Sequence, residues 1–118
     1  MIEHADANAI AAEWLAAWNH HDPDRVVEHF TDDVVVHSPL AAQLRPGSDG
    51  VLHGKEAVLS YYRDGLAAAP KLHFTLIEVC VGVNEVTIVY RNHRATLVTE
   101  ALVLVNGAVT EVHVSYGA

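Results

Sequence analysis

Apolar residues recur every three to four positions in the first twenty residues, and this spacing predicts a helix with one buried face. The residues on this face are Ile10, Ala11, Trp14, Leu15 and Trp18. Asp6 is expected to cap the start of this helix.

Two further helices are predicted from their boundary residues. Asp22 can cap a second helix and Pro23 suits its first position, with Val26, Val27 and Phe30 on the apolar face. Gly54 and Pro70 bound a third helix, whose apolar positions are Val58, Leu59, Tyr61, Tyr62 and Leu66.

Extended segments make up most of the remaining chain. A β-branched run at 34–37 predicts one strand, and residues 39–53 form a long connection with two prolines and two glycines. Four more strands are expected at roughly 72–81, 85–94, 96–105 and 108–116, the last two joined by Asn106-Gly107. Helices followed by a sheet indicate an α+β fold, in a single domain spanning 1–118.

Both faces of the predicted strands carry apolar residues. A monomer with one face in water usually shows a polar outer face. The pattern therefore predicts that one face covers the helices and that the outer sheet face meets a second copy in a homodimer.

The charge balance excludes several classes of partner. Acidic residues outnumber basic ones 15 to 7, the formal charge is −8, and the basic residues do not cluster, so neither nucleic acid nor an anionic membrane is an expected partner. With one cysteine, no long apolar run and no recognisable secretory signal, we expect a cytoplasmic protein.

The nine histidines raise the question of a metal site or a pH switch. No His-Glu-x-x-His spacing or Cys/His cluster occurs, so we expect neither a metal nor another cofactor. His37, His93 and His113 share odd strand positions. Either these three meet at the subunit interface and weaken the dimer at low pH, or they are scattered and solvated.

Four stretches carry a resemblance to a known superfamily: WLAAWNHHDPD from Trp14, FTDDVVVHSP from Phe30, GKEAV from Gly54 and NGAVTE from Asn106. The chain resembles the nuclear transport factor 2-like superfamily, with SnoaL-type polyketide cyclases and ketosteroid isomerases as the nearest branches. The resemblance implies a cone-shaped, cystatin-like fold. Three N-terminal helices would pack on a curved, mainly antiparallel sheet around a deep apolar pocket.

The residues that match catalytic positions of ketosteroid isomerases are mostly changed. Ser38 stands where those enzymes have the carboxylate base, and Trp14 where they have a tyrosine proton donor. Glu100 matches the protonated aspartic acid that donates a hydrogen bond to the substrate, and Tyr61 and Tyr62 match an aromatic pair.

The SnoaL-type cyclases typically carry Glu-His-Trp-Asp in the last strand, where this chain reads Glu111-Val-His-Val114, so the acid–base positions are valines. The alignment implies that even-numbered strand residues face the pocket. The expected substrate-binding residues are Trp14, Trp18, Ser38, Tyr61, Tyr62, Tyr90, Asn92, Val112, Val114 and Tyr116.

Glu100 is the expected catalytic residue, because a buried carboxyl group in an apolar strand has a raised pKa. It would act by acid–base chemistry on a small apolar carbonyl compound, in an isomerase-like or cyclase-like enzyme. The alternative is a non-catalytic ligand-binding or dimerisation module that has lost the base, in which Glu100 ties helix to sheet. Likewise, Trp14 and Trp18 either contact the ligand or serve as core.

Overall fold

A computed structural model describes all residues from Met1 to Ala118. It contains four helices, α1 (His4–Asn19), α2 (Pro23–Val26), α3 (Pro39–Leu44) and α4 (Lys55–Ala68). Its six strands are β1 (Phe30–His37), β2 (Val51–His53), β3 (Thr75–Val81), β4 (Glu85–Arg91), β5 (Leu97–Val105) and β6 (Ala108–Tyr116). The predicted α+β class is confirmed. None of the helices is long and apolar enough to cross a membrane.

The strands form one sheet in the order β2-β1-β6-β5-β4-β3. All neighbouring pairs are antiparallel except β1 and β6, which run parallel and place His37 opposite His113. The last strand therefore lies inside the sheet rather than at its edge.

The prediction of one long connection at 39–53 is wrong, because this segment contains α3 and β2. Pro39 begins α3 directly after Ser38, and β2 pairs with the end of β1. The protein thus has four helices instead of three. Elements of six and three residues are too short to show a repeating apolar pattern.

Several predicted boundaries also shift. The helix after Asp22 is only four residues long, so Phe30 belongs to β1 rather than to a helix face. Asp22 does cap this helix, accepting a 3.2 Å hydrogen bond from the Arg25 amide. Asp6 caps nothing, because α1 already begins at His4.

One face of the sheet packs against the helices. The even-numbered residues of β4 and the first part of β5 are buried there, including Ile88 and Leu102, whereas odd-numbered residues of the same strands are partly or fully exposed. Twenty-five buried apolar residues form a single core. Ser38 and Glu100 are the only buried polar or charged residues other than aromatic ones.

Candidate functional site

A cavity of about 120 Å³ lies between the inner face of the sheet and helices α1 and α4. Among the residues that line it, Tyr116 is 40% exposed. Nine of the residues expected at the site line it, namely Trp18, Ser38, Tyr61, Tyr62, Tyr90, Asn92, Glu100, Val114 and Tyr116. Because side chains alternate along the strands, polar groups from β4, β5 and β6 reach the same largely apolar cavity.

Two expected residues do not line this cavity. Val112 does point inward, but it lies opposite Val36 and Leu102 and is fully buried in the packed core. Trp14 stacks on Phe30 and borders a second cavity of about 250 Å³. Trp14 acts on the first cavity through the hydrogen bond that its indole N–H donates to Glu100.

Glu100 lies at the centre of the site's polar contacts. Its Oε2 atom accepts a 2.7 Å hydrogen bond from the Tyr90 hydroxyl and a 3.2 Å hydrogen bond from Trp14 Nε1. Both hydrogen bonds are accepted by Oε2, which leaves Oε1 available to a group in the cavity. Strand alternation and the superfamily alignment predicted that Glu100 lies on the inner face of the sheet. The hydrogen bond from Trp14 was not predictable, because it depends on how α1 crosses the sheet.

Burial controls the charge of Glu100. The side chain is 4% exposed, and removal from water disfavours the carboxylate. The hydrogen bonds from Tyr90 and Trp14 act in the opposite direction because they stabilise the charged form. Burial outweighs them and raises the pKa of Glu100 to about 7. Near neutral pH the residue can therefore both release and accept a proton.

The tyrosines on the cavity wall stay protonated. Burial, reinforced by the charge of Glu100, raises the pKa of Tyr62 and of Tyr90 far above the usual range. Burial also raises the pKa of Tyr61 and Tyr116. These hydroxyl groups are therefore hydrogen-bond donors, and the Tyr61 hydroxyl lies 3.3 Å from Ser38 Oγ.

Two buried polar groups beside the cavity have no partner in the protein. They are the indole N–H of Trp18 and the hydroxyl of Tyr62, whose rings meet edge to face at 4.7 Å. A buried donor without an acceptor costs free energy. Both residues border the cavity, but the two atoms themselves have almost no accessible surface, so a ligand oxygen would reach them only after a movement of the wall.

Sequence reasoning missed part of the wall. Phe74 stacks on Tyr90 at 4.1 Å, and Leu72 borders the cavity, although both precede β3 rather than forming part of it. His93 also borders the cavity, although its odd position predicted the outer face. Strand β4 ends at Arg91, so strand alternation no longer applies in the turn that follows.

The comparisons establish the family. Residues 11–115 match the SnoaL-like domain family, and the chain therefore belongs to this family. The predicted nuclear transport factor 2-like superfamily is thereby confirmed. No curated protein matches the sequence.

Solved structures support this assignment. A SnoaL-like protein of unknown function from Burkholderia thailandensis is 34% identical, with a TM-score of 0.94 over 99% of this chain and 98% of that one. A cystatin-fold protein from Novosphingobium aromaticivorans is 19% identical, with a TM-score of 0.75 over 92% and 97%. SalBIII, an epoxide hydrolase/cyclase-like enzyme of pyran ring formation in salinomycin, is 21% identical, with a TM-score of 0.74 over 99% and 95%. At these lower identities the likeness concerns the fold alone.

Proposed function

We propose that the cavity binds a small apolar compound with one ring and a carbonyl group, and that Glu100 transfers protons on it. The observation that carries the proposal is a single buried carboxyl group, with a pKa of about 7, on a largely hydrophobic wall. Isomerisation and ring closure both require a group that removes and returns a proton near neutral pH.

The size of the cavity restricts the ligand. A dry cavity of about 150 Å³ in another protein holds one benzene molecule. At about 120 Å³, this cavity suits one small ring, and a steroid or a fused polyketide would require its walls to move. The exposed side of Tyr116 is where a substituent could extend into solvent.

The proposed chemistry uses the two oxygens of Glu100 differently. Oε2 is held by Tyr90 and Trp14, so Oε1 takes a proton from the carbon next to the ligand carbonyl. The electron pair of that C–H bond moves onto the carbonyl oxygen as an enolate. In a β,γ-unsaturated ketone this enolate is conjugated with the C=C bond, so Glu100 can return the proton to the γ carbon and the double bond moves into conjugation with the carbonyl. A movement of the wall that exposes the Trp18 N–H or the Tyr62 hydroxyl would let these donors stabilise the enolate oxygen.

A second function is a binding module without turnover. Ser38 occupies the position of the isomerase base and lies within hydrogen-bond distance of Tyr61, and the bond from Trp14 to Glu100 joins α1 to β5. In this reading Glu100 fixes the helix on the sheet, and the cavity holds its ligand unchanged.

One experiment separates the two functions. Thermal-shift screening with monocyclic ketones, diketones and larger steroids identifies ligands. NMR in D₂O then measures deuterium uptake at the carbon beside the carbonyl of each hit. We expect catalysed uptake that Glu100→Gln abolishes and Glu85→Gln, a change at an exposed strand residue, leaves intact. Binding without uptake favours the binding module, and the absence of any hit overturns both functions.

We further propose that two copies associate through the outer sheet face. Only the opposite face packs against helices, and the outer face carries partly exposed apolar residues of β5, including Leu97 and Val105. Sedimentation should give twice the 12.8 kDa mass of one chain. Val103→Lys places a charge on this face and should yield the monomer. A monomeric wild-type protein would contradict the proposal.

A further inference from the structure

Three possible metal ligands meet on the outer face of the sheet, away from the cavity. His37 lies on β1, directly opposite His113 on the parallel strand β6, and Glu111 is two residues before His113 on the same face. The atoms that could bind an ion lie within 4.8 Å of one another. Spacing along the chain did not indicate this cluster, because His37 and Glu111 are 74 positions apart.

The two distances from Glu111 to the histidines match a known coordination geometry. Glu111 Oε1 lies 3.2 Å from His37 Nε2 and 3.4 Å from His113 Nε2. In a tetrahedral zinc site with bonds of about 2.0–2.1 Å, neighbouring ligand atoms are about 3.3 Å apart. The contact between His37 and Glu111 serves as a hydrogen bond when no ion is bound.

The two imidazole rings are already arranged side by side. The rings are stacked, with centroids 4.2 Å apart and planes that differ by 9°, and each Nε2 atom lies within 3.4 Å of Glu111 Oε1. Binding a shared ion requires rotation about the broad χ2 torsions of the two histidines, so that their lone pairs meet at one point.

The surroundings of the cluster favour a small ion. In the sheet, His113 is paired with Ala101, and Glu111 with Val103. Neither Ala101 nor Val103 is charged, so these two neighbours bring no competing cation. Three protein ligands also leave a fourth tetrahedral position, which water or a group of the second copy at the proposed outer-face interface can fill.

We infer that His37, Glu111 and His113 form a binding site for a divalent transition-metal ion, with zinc as the best-fitting probe. Two imidazole nitrogens and one carboxylate oxygen suit Zn²⁺, whereas Ca²⁺ and Mg²⁺ require a larger set of oxygen ligands. All three side chains are about 40% exposed, and no protein group holds the second ring nitrogen of either histidine. We therefore expect micromolar rather than nanomolar affinity.

The test is a Zn²⁺ titration of tag-free protein in competition with a chromophoric chelator. We expect one ion per chain, and a loss of affinity of at least about ten-fold in His37→Asn and in His113→Asn. His73→Asn is the matched control, since it removes an exposed histidine outside the cluster. Its affinity for zinc should equal that of the wild type.

A thermal measurement makes the result independent of the chelator. Zinc should raise the melting temperature of the wild type and of His73→Asn, but not that of His37→Asn/His113→Asn, because only a folded site binds the ion. Circular dichroism verifies that the double variant is folded. Equal zinc binding by the double variant, or no binding by the wild type at submillimolar zinc, would overturn the site.

Discussion

The Tyr90 hydroxyl donates a 2.7 Å hydrogen bond to Oε2 of Glu100 on the neighbouring strand. Residue 100 is paired with Ile88, so Tyr90 is its diagonal neighbour on the inner face. This bond, together with that from Trp14, opposes the effect of burial on Glu100. The charge of the cavity is thus set by a balance that single substitutions can change.

Replacing Tyr90 with phenylalanine should raise the pKa of Glu100 further. The substitution removes a hydrogen bond that stabilises the carboxylate and leaves burial in place. Carbon-13 NMR of the glutamate carboxyl groups measures this titration. Tyr61→Phe is the control, because its hydroxyl contacts Ser38. An unchanged or lower pKa in Tyr90→Phe would show that the bond does not act on Glu100.

The stability of the protein should depend on pH through Glu100. Its pKa is raised from 4.5 to about 7, so between these values the folded state holds a proton that the unfolded chain has released. The associated stabilisation is complete below pH 4.5 and is lost as pH rises through 7. The whole shift corresponds to about 3 kcal/mol.

Glu100→Gln isolates this contribution, since the amide stays neutral and its oxygen can still accept from Tyr90. Urea unfolding of both proteins should show the wild type losing about 3 kcal/mol relative to the variant between about pH 4 and pH 8. All other titrating groups cancel in the difference. Parallel pH profiles would mean that Glu100 titrates alike in folded and unfolded protein.

Gly50→Ala should destabilise the protein by about 2 kcal/mol or more. Gly50 has φ +80, and a Cβ atom there would lie 2.9 Å from the backbone oxygen of Ser38 on the cavity wall. Gly107→Ala is the matched control, with the same φ but nothing within 4 Å. Urea unfolding should show the smaller loss for Gly107→Ala, and equal losses would contradict the close contact.

Gly65→Ala should stabilise the protein by about 1 kcal/mol. Gly65 lies inside α4, where glycine is less favourable than alanine by about this amount. No atom lies within 4 Å of the added methyl group, which would project into free space beside the cavity. Urea unfolding measures the gain. A loss of stability would show that this part of the wall has no room.

Much of the candidate site could be predicted because it follows from alternation along regular strands. Tyr90 and Glu100 lie within such strands and reach the same cavity. His93 also borders the cavity, but it follows the end of β4, so strand alternation could not predict its place there. The Trp14 bond to Glu100 was also beyond prediction, since it depends on the position of a helix over the sheet rather than on either residue's neighbours.

The fold was predictable to a similar degree. Long helices and strands have a period that identifies them, and Asn106-Gly107 identified the final hairpin. Short elements such as β2 have no period. Local sequence patterns also do not reveal the order of strands in a sheet. The pairing of β1 with β6, which brings His37 next to His113, could therefore be seen only in the structure.

The inner position of β6 has a consequence for how the protein folds. Strand β6 is the only link in the sheet between the β2–β1 pair and the β5–β4–β3 meander. Pairing β1 with β6 closes a loop that contains most of the chain. This step is slow, because the chain loses the entropy of loop closure before the strand contacts form. On the ribosome, the sheet would therefore remain in two separate parts until β6 has emerged.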